Sequence, residues 1–63
     1  MTVETLSELL KQHGWYLNRI KRYNTRYAYA QRRLKGTVVS RYLKTERLLH
    51  ELSEEEVLRG ISS

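Results

Sequence analysis

The hydrophobic pattern changes period at Gly14-Trp15, and that change restricts the chain to a mixed fold. Before it, Val3, Leu6, Leu9, Leu10 and His13 recur at helical spacing in "TVETLSELLKQHGW". Thr2 is placed to cap the start of this helix, and Glu4 to meet the positive end of its dipole. Gly14 suits the left-handed position just past a helix end, with Trp15 following and packing back on Leu10. After Trp15, "WYLNRIKRY", "RYAYAQRRL" and "TVVSRYL" are rich in aromatic and β-branched residues and are separated by turn signals. Lys35-Gly36 suits a two-residue hairpin loop, and Asn24-Thr25 is the expected turn between the first two strands. Past Leu43 the helical signals return. Thr45 is expected to cap a turn holding Leu48, Leu49 and Leu52. Ser53 and Glu56 of "SEEE" form a capping box for a last helix, with Val57, Leu58 and Ile61 on its apolar side and Gly60 at its end. The pattern leaves open whether residues 45 to 60 form one kinked helix or two short ones. The expected fold is one small α+β domain over residues 1–63, in the order α-β-β-β-α, with the helices on one face of a three-stranded antiparallel meander.

Several sources of stability and chemistry are excluded. The 63 residues include no Cys, so disulfides and thiolate metal sites are absent. His13 and His50 are too few for a structural zinc site without several carboxylates. A chain this short approaches the lower limit for an unassisted core, so the fold rests on packing, helped by a partner or by self-association. No apolar run is long enough to span a membrane, and the acidic, helical N-terminal segment is unlike a signal peptide, which points to a cytoplasmic protein. The sequence has no Gly-rich phosphate loop. Ser40 has no histidine near it in the expected fold, and the capping box accounts for Glu54, Glu55 and Glu56 better than a metal does. The reading is non-enzymatic, with no cofactor.

Charge is distributed in blocks. Residues 9 to 45 hold ten of the 12 Lys and Arg and none of the seven carboxylates, which are all glutamates at 4 to 8 and 46 to 56. A surface that mixes signs is the usual outcome. Segregation of this kind makes a field of one sign that draws anions, and nucleic acid is the abundant cytoplasmic polyanion.

With two-residue loops at both turns, one sheet face carries Trp15, Leu17, Ala28, Ala30, Leu34, Val39 and Leu43, with Arg19, Lys21, Arg26, Arg32 and Arg41. The other carries Tyr16, Ile20, Tyr27, Tyr29, Val38 and Tyr42, with Asn18, Gln31, Ser40, Arg22, Arg33 and Lys44. The helices are expected on the first face, where Ala28 and Ala30 permit close approach and the arginines reach the rim on their aliphatic stems. This register sets Arg19, Ala30 and Arg41 in one mid-sheet row, a conflict that a bulge or longer turn after Arg22 would relieve in part. The second face is then open. Its tyrosines can stack on bases and its cations can neutralise phosphates. They can equally serve as cross-strand pairs with solvated hydroxyls. The expected phosphate contacts are Arg22, Arg33, Lys35 and Lys44, the stacking residues Tyr27, Tyr29 and Tyr42, and the polar reader Gln31. The partner is DNA or RNA. The alternative is an interaction module whose basic sheet docks on an acidic protein or on another copy, giving a homodimer.

"LLKQHGWYLNRIKR", followed by two more strands and a helix, resembles the start of HicA-type mRNA interferases. Leu9, Leu10, Gly14, Trp15, Leu17 and Arg19 carry the resemblance, which covers about the first third of the chain. It implies a double-stranded-RNA-binding-like α-β-β-β-α fold and an RNA-facing role. The family's Gly-Ser-His is replaced by "YNTRY" at 23 to 27, so its nuclease activity is not implied. The meander followed by a capped helix is also similar in topology to integrase arm-binding domains. The hairpin "YAYAQRRLKGTVVSRYLK" resembles those of small uncharacterised bacterial proteins, which carry no function to transfer.

Overall fold

A computed structural model describes residues 1–62. Helix α1 (Val3–Gln12) leads into strands β1 (Tyr16–Arg22), β2 (Thr25–Leu34) and β3 (Thr37–Thr45). A 3-10 helix (Glu46–Glu51) and helix α2 (Glu54–Ser62) complete the α+β order. The strands form one antiparallel sheet in the order β1-β2-β3.

Local chemistry sets the ends of the helices. The Thr5 N–H donates to Thr2 Oγ1 at 3.1 Å, which caps α1. At its other end the Trp15 N–H reaches the Leu10 carbonyl at 2.8 Å and the Gly14 N–H the Lys11 carbonyl at 3.1 Å, with Gly14 at φ +80°. These two bonds turn the chain from helix to strand and deliver Trp15 into the core. The expected capping box forms: the Glu56 N–H donates to Ser53 Oγ at 3.2 Å, and the Ser53 N–H to Glu56 Oε1 at 3.4 Å.

Two expectations for the C-terminal segment are corrected. Thr45 makes no side-chain cap; the turn it precedes is a 3-10 helix that buries Leu49 and leaves Leu48 exposed. Gly60 does not end α2, which continues to Ser62. A β-carbon built on Gly60 would lie 3.6 Å from Leu43 Cδ2, an ordinary contact, whereas one on Gly14 would meet nothing within 4 Å. Alanine should therefore act in opposite directions at the two sites. Gly14→Ala is expected to cost roughly 1 kcal/mol, because only the left-handed backbone opposes it. Gly60→Ala is expected to add roughly 0.5–1 kcal/mol through helix propensity. Urea midpoints of the two variants measure this, and a loss at Gly60 would mean that α2 has no room against β3.

The first hairpin turn also differs from expectation. Its loop is Tyr23-Asn24, at φ 51° and 64°, and Arg22 pairs with Thr25. A type I′ loop needs positive φ at both positions; asparagine tolerates this and β-branched threonine resists it. Moving the loop by one residue shifts the register by two, so every side chain keeps its face. Arg19 now stands opposite Ala28, and Ala30 opposite Leu17, which breaks up the expected row of Arg19, Ala30 and Arg41. The sheet irregularity lies in β3, away from Arg22. Tyr29 pairs with Tyr42 and Ala28 with Lys44, leaving Leu43 as the extra residue of a bulge.

The helices cover the expected face. Leu6, Leu9 and Leu10 of α1, Trp15, Ala28 and Ala30 of the sheet, and Leu49, Leu52 and Val57 form one core, with Leu17, Val39 and Leu43 packed at its edge. Two of the cations on this face pack against partners, although Arg32 Nε is shut off from solvent without a hydrogen-bond partner. Arg19 meets Glu46 at 3.2 Å, and the Arg32 guanidinium lies 4.6 Å from the Trp15 ring centroid.

Candidate nucleic-acid interface

The opposite face of the sheet contributes no side chain to the core. Its cross-strand rows follow from the register: Arg22 with Thr25, Ile20 with Tyr27, Asn18 with Tyr29 and Tyr42, Tyr16 with Gln31 and Ser40, and Arg33 with Val38. Lys35 stands beyond them at the tip of the second hairpin, at φ 52° beside Gly36 at φ 80°. All seven glutamates lie in α1, the 3-10 helix or α2, so this face carries no carboxylate. The molecule is thus a basic sheet on an acidic helical layer, and its outer face has a field of one sign.

Arg22, Arg33 and Lys35 are exposed, and their side chains make no hydrogen bond or ion pair among the described residues. They occupy the two ends of the face. Thr25, opposite Arg22, is eight residues before Arg33 along β2, a separation of roughly 26 Å at strand rise. Lys44 does not join them. The bulge sets it opposite Ala28, and its Nζ lies 3.4 Å from Glu56 Oε2 on α2. The expectation of Lys44 on the open face is therefore corrected: the extra residue Leu43 reverses the alternation of the strand, and Lys44 anchors α2 to β3 instead.

Between the cationic ends lie the aromatic and amide groups. Tyr42 meets Tyr29 edge-to-face at 5.5 Å between ring centroids and Tyr27 in a tilted pair at 6.2 Å. The three expected stacking residues are thus brought together, but Tyr27 and Tyr29 are half-buried against their neighbours. Tyr42 and Tyr16 are the more open rings of the face, at 53% and 46% exposure. Gln31 donates through Nε2 to Ser40 Oγ at 2.9 Å, which leaves its carbonyl oxygen and second N–H for another partner.

Two aromatic residues were missed as site members. Tyr16 has no partner in the tyrosine cluster to signal its role. Tyr23 became legible only with the correct turn: it is 98% exposed at the tip of the first hairpin, held at positive φ.

Among the described residues, the one perturbed acid lies on the helical side. A hydrogen bond and the charge of Lys44, with a further bond from the Ser53 backbone, hold the Glu56 carboxyl below its ordinary value of 4.5. A depressed folded-state value means that the contribution is present above the unfolded-state value and is lost as pH falls through the folded one. Acid unfolding of Glu56→Gln is therefore expected to be less steep below pH ~4.5 than that of the parent, read by circular dichroism. Identical acid curves would show that the Lys44 contact does not persist in solution.

Among the described residues no group of three or more His, Asp or Glu is placed to hold a metal, and no helix is long and apolar enough to cross a membrane. Comparison with protein-family models, with curated proteins and with solved structures yields no match.

Proposed function

We propose that this protein is a small, non-catalytic, cytoplasmic nucleic-acid-binding domain that lays its ligand along the open sheet face. The observation that carries the reading is the set of exposed, unpaired cations, Arg22, Arg33 and Lys35, on a face without a carboxylate. Unpaired cations at both ends can neutralise phosphates, while Tyr16, Tyr42 and the Gln31 amide between them offer stacking surfaces and hydrogen bonds. The resemblance to HicA-type interferases adds support for an RNA-facing role, since its implied order of elements is the order of this fold. Residues 23 to 27, where that family has Gly-Ser-His, are the Tyr23-Asn24 turn and the start of β2 and hold no histidine, so no nuclease activity is carried over.

Fluorescence anisotropy with random-sequence duplex DNA, duplex RNA and single strands tests the reading. Binding is expected near ~50 mM salt, with a log–log salt slope of about −3 on duplex DNA or −2 on single strands, from three phosphate contacts. No binding to any of these ligands would overturn it. The opposite signs of the two layers favour a second reading, in which the basic face docks on an acidic protein or on the helical layer of another copy. That reading predicts salt-sensitive self-association in sedimentation, or no response to nucleic acid.

A further inference from the structure

We propose that the β1–β2 hairpin end also holds a phosphate-binding site, formed by Lys21, Arg26 and Arg47, separate from the open sheet face. Lys21 and Arg26 stand directly opposite each other across the two strands. Like charges in that arrangement destabilise a sheet unless something neutralises them. Arg47, from the 3-10 helix, lines the same cavity of ≈ 510 Å³, together with Asn24, Thr25 and Glu46. None of the three cations has a hydrogen bond or ion pair among the described residues.

The cavity remains electropositive despite its one carboxylate. Glu46 Oε1 is held by Arg19 at 3.2 Å, and Glu46 Oε2 is shut off from solvent. What the site offers is two guanidinium forks and an ammonium, with Asn24 and Thr25 at its edge. Charge-assisted donors converging from two elements suit a compact anion with several oxygens and more than one negative charge. A phosphate group meets that description better than a carboxylate, which brings one charge and two oxygens. The volume lies in the range of small-ligand sites, so part of the molecule carrying the phosphate fits as well. Arg22 belongs to the other face, so this site does not depend on the nucleic-acid reading.

The phosphate can come as a free ion or small ester, or as the terminal phosphate of a strand. Amide NMR of the intact chain, titrated with inorganic phosphate at low ionic strength against matched sodium chloride, tests the site. Saturable shifts are expected at residues 21, 24 to 26, 46 and 47, and not with chloride. Lys21→Gln with Arg26→Gln should weaken the response at least tenfold without lowering the melting temperature, since it removes a repulsion. Arg47→Gln should weaken it with the hairpin intact, and Arg33→Gln with Lys35→Gln should leave it unchanged. A short oligonucleotide that binds at least tenfold tighter with a 5′-phosphate, and shifts the same amides, identifies a strand end as the source. Equal affinity for the two oligonucleotides, with the inorganic phosphate response retained, identifies free phosphate. Shifts spread over all basic residues, or unaltered by the Lys21 and Arg26 changes, would overturn the site. The open-face reading would survive that result, because it is judged by the salt slope.

Discussion

Leu6→Ala is expected to unfold at a far lower urea concentration than the parent. Leu6 has no exposed surface and lies in a core of nine buried residues drawn from every layer of the molecule. Removing a fully buried leucine side chain costs about 2–5 kcal/mol, the transfer and cavity terms together. At about 0.05–0.15 kcal/mol per residue, a chain of 63 residues has a total stability of about 3–9 kcal/mol. The substitution therefore removes a large fraction of the whole. Trp15, buried in the same cluster, supplies the fluorescence signal that follows unfolding in urea. Leu48→Ala is the matched control. Leu48 is 42% exposed, and its loss should stay within about 0.5 kcal/mol. Equal shifts for the two leucines would mean that α1 does not seat Leu6 in the core.

The contrast between Leu6 and Leu48 also shows how far the sequence can be read. In α1 the period of the apolar residues, the Thr2 cap and Gly14 all act within a few residues of one another, so the helix and its turn into β1 are legible directly. The same holds for Ser53 and Glu56. The choice of covered face is legible as well, because it depends on strand parity, and a two-residue shift of register preserves parity. Features decided by competition between near-equal local options are not legible. Tyr23-Asn24 and Asn24-Thr25 are both two-residue loops, and the difference lies in the reluctance of threonine to take positive φ. Nothing local marks the bulge at Leu43, which forms where β3 must place both Leu43 and Lys44 toward the helices. Lys44 was misplaced for that reason alone. The pairing of Lys21 with Arg26 could not be seen before the register was known, although both residues are conspicuous in the sequence.

The open face itself was legible in composition and only partly in detail, and Arg33 and Lys35 give it its sharpest test. Replacing both with glutamine is expected to remove two of the three phosphate contacts at one stroke. Each neutralised phosphate contributes about −0.9 to the slope of log affinity against log salt on duplex DNA, so the slope should shrink from about −3 to about −1. Affinity near 50 mM salt should fall by one to two orders of magnitude, while the difference from the parent narrows as salt rises and the lost contacts matter less. Both side chains are exposed at the hairpin end, so the urea midpoint should not move by more than about 0.5 kcal/mol equivalent. Tyr42→Ala is the complementary change. Its ring is among the more open on the face, and losing it should weaken single-strand binding by about 1–3 kcal/mol with the slope unchanged. The two variants separate neutralisation from stacking because only the first releases fewer counterions. A slope that stays near −3 after the Arg33 and Lys35 changes would move the phosphate contacts away from this hairpin and toward the cations at the other end of the sheet.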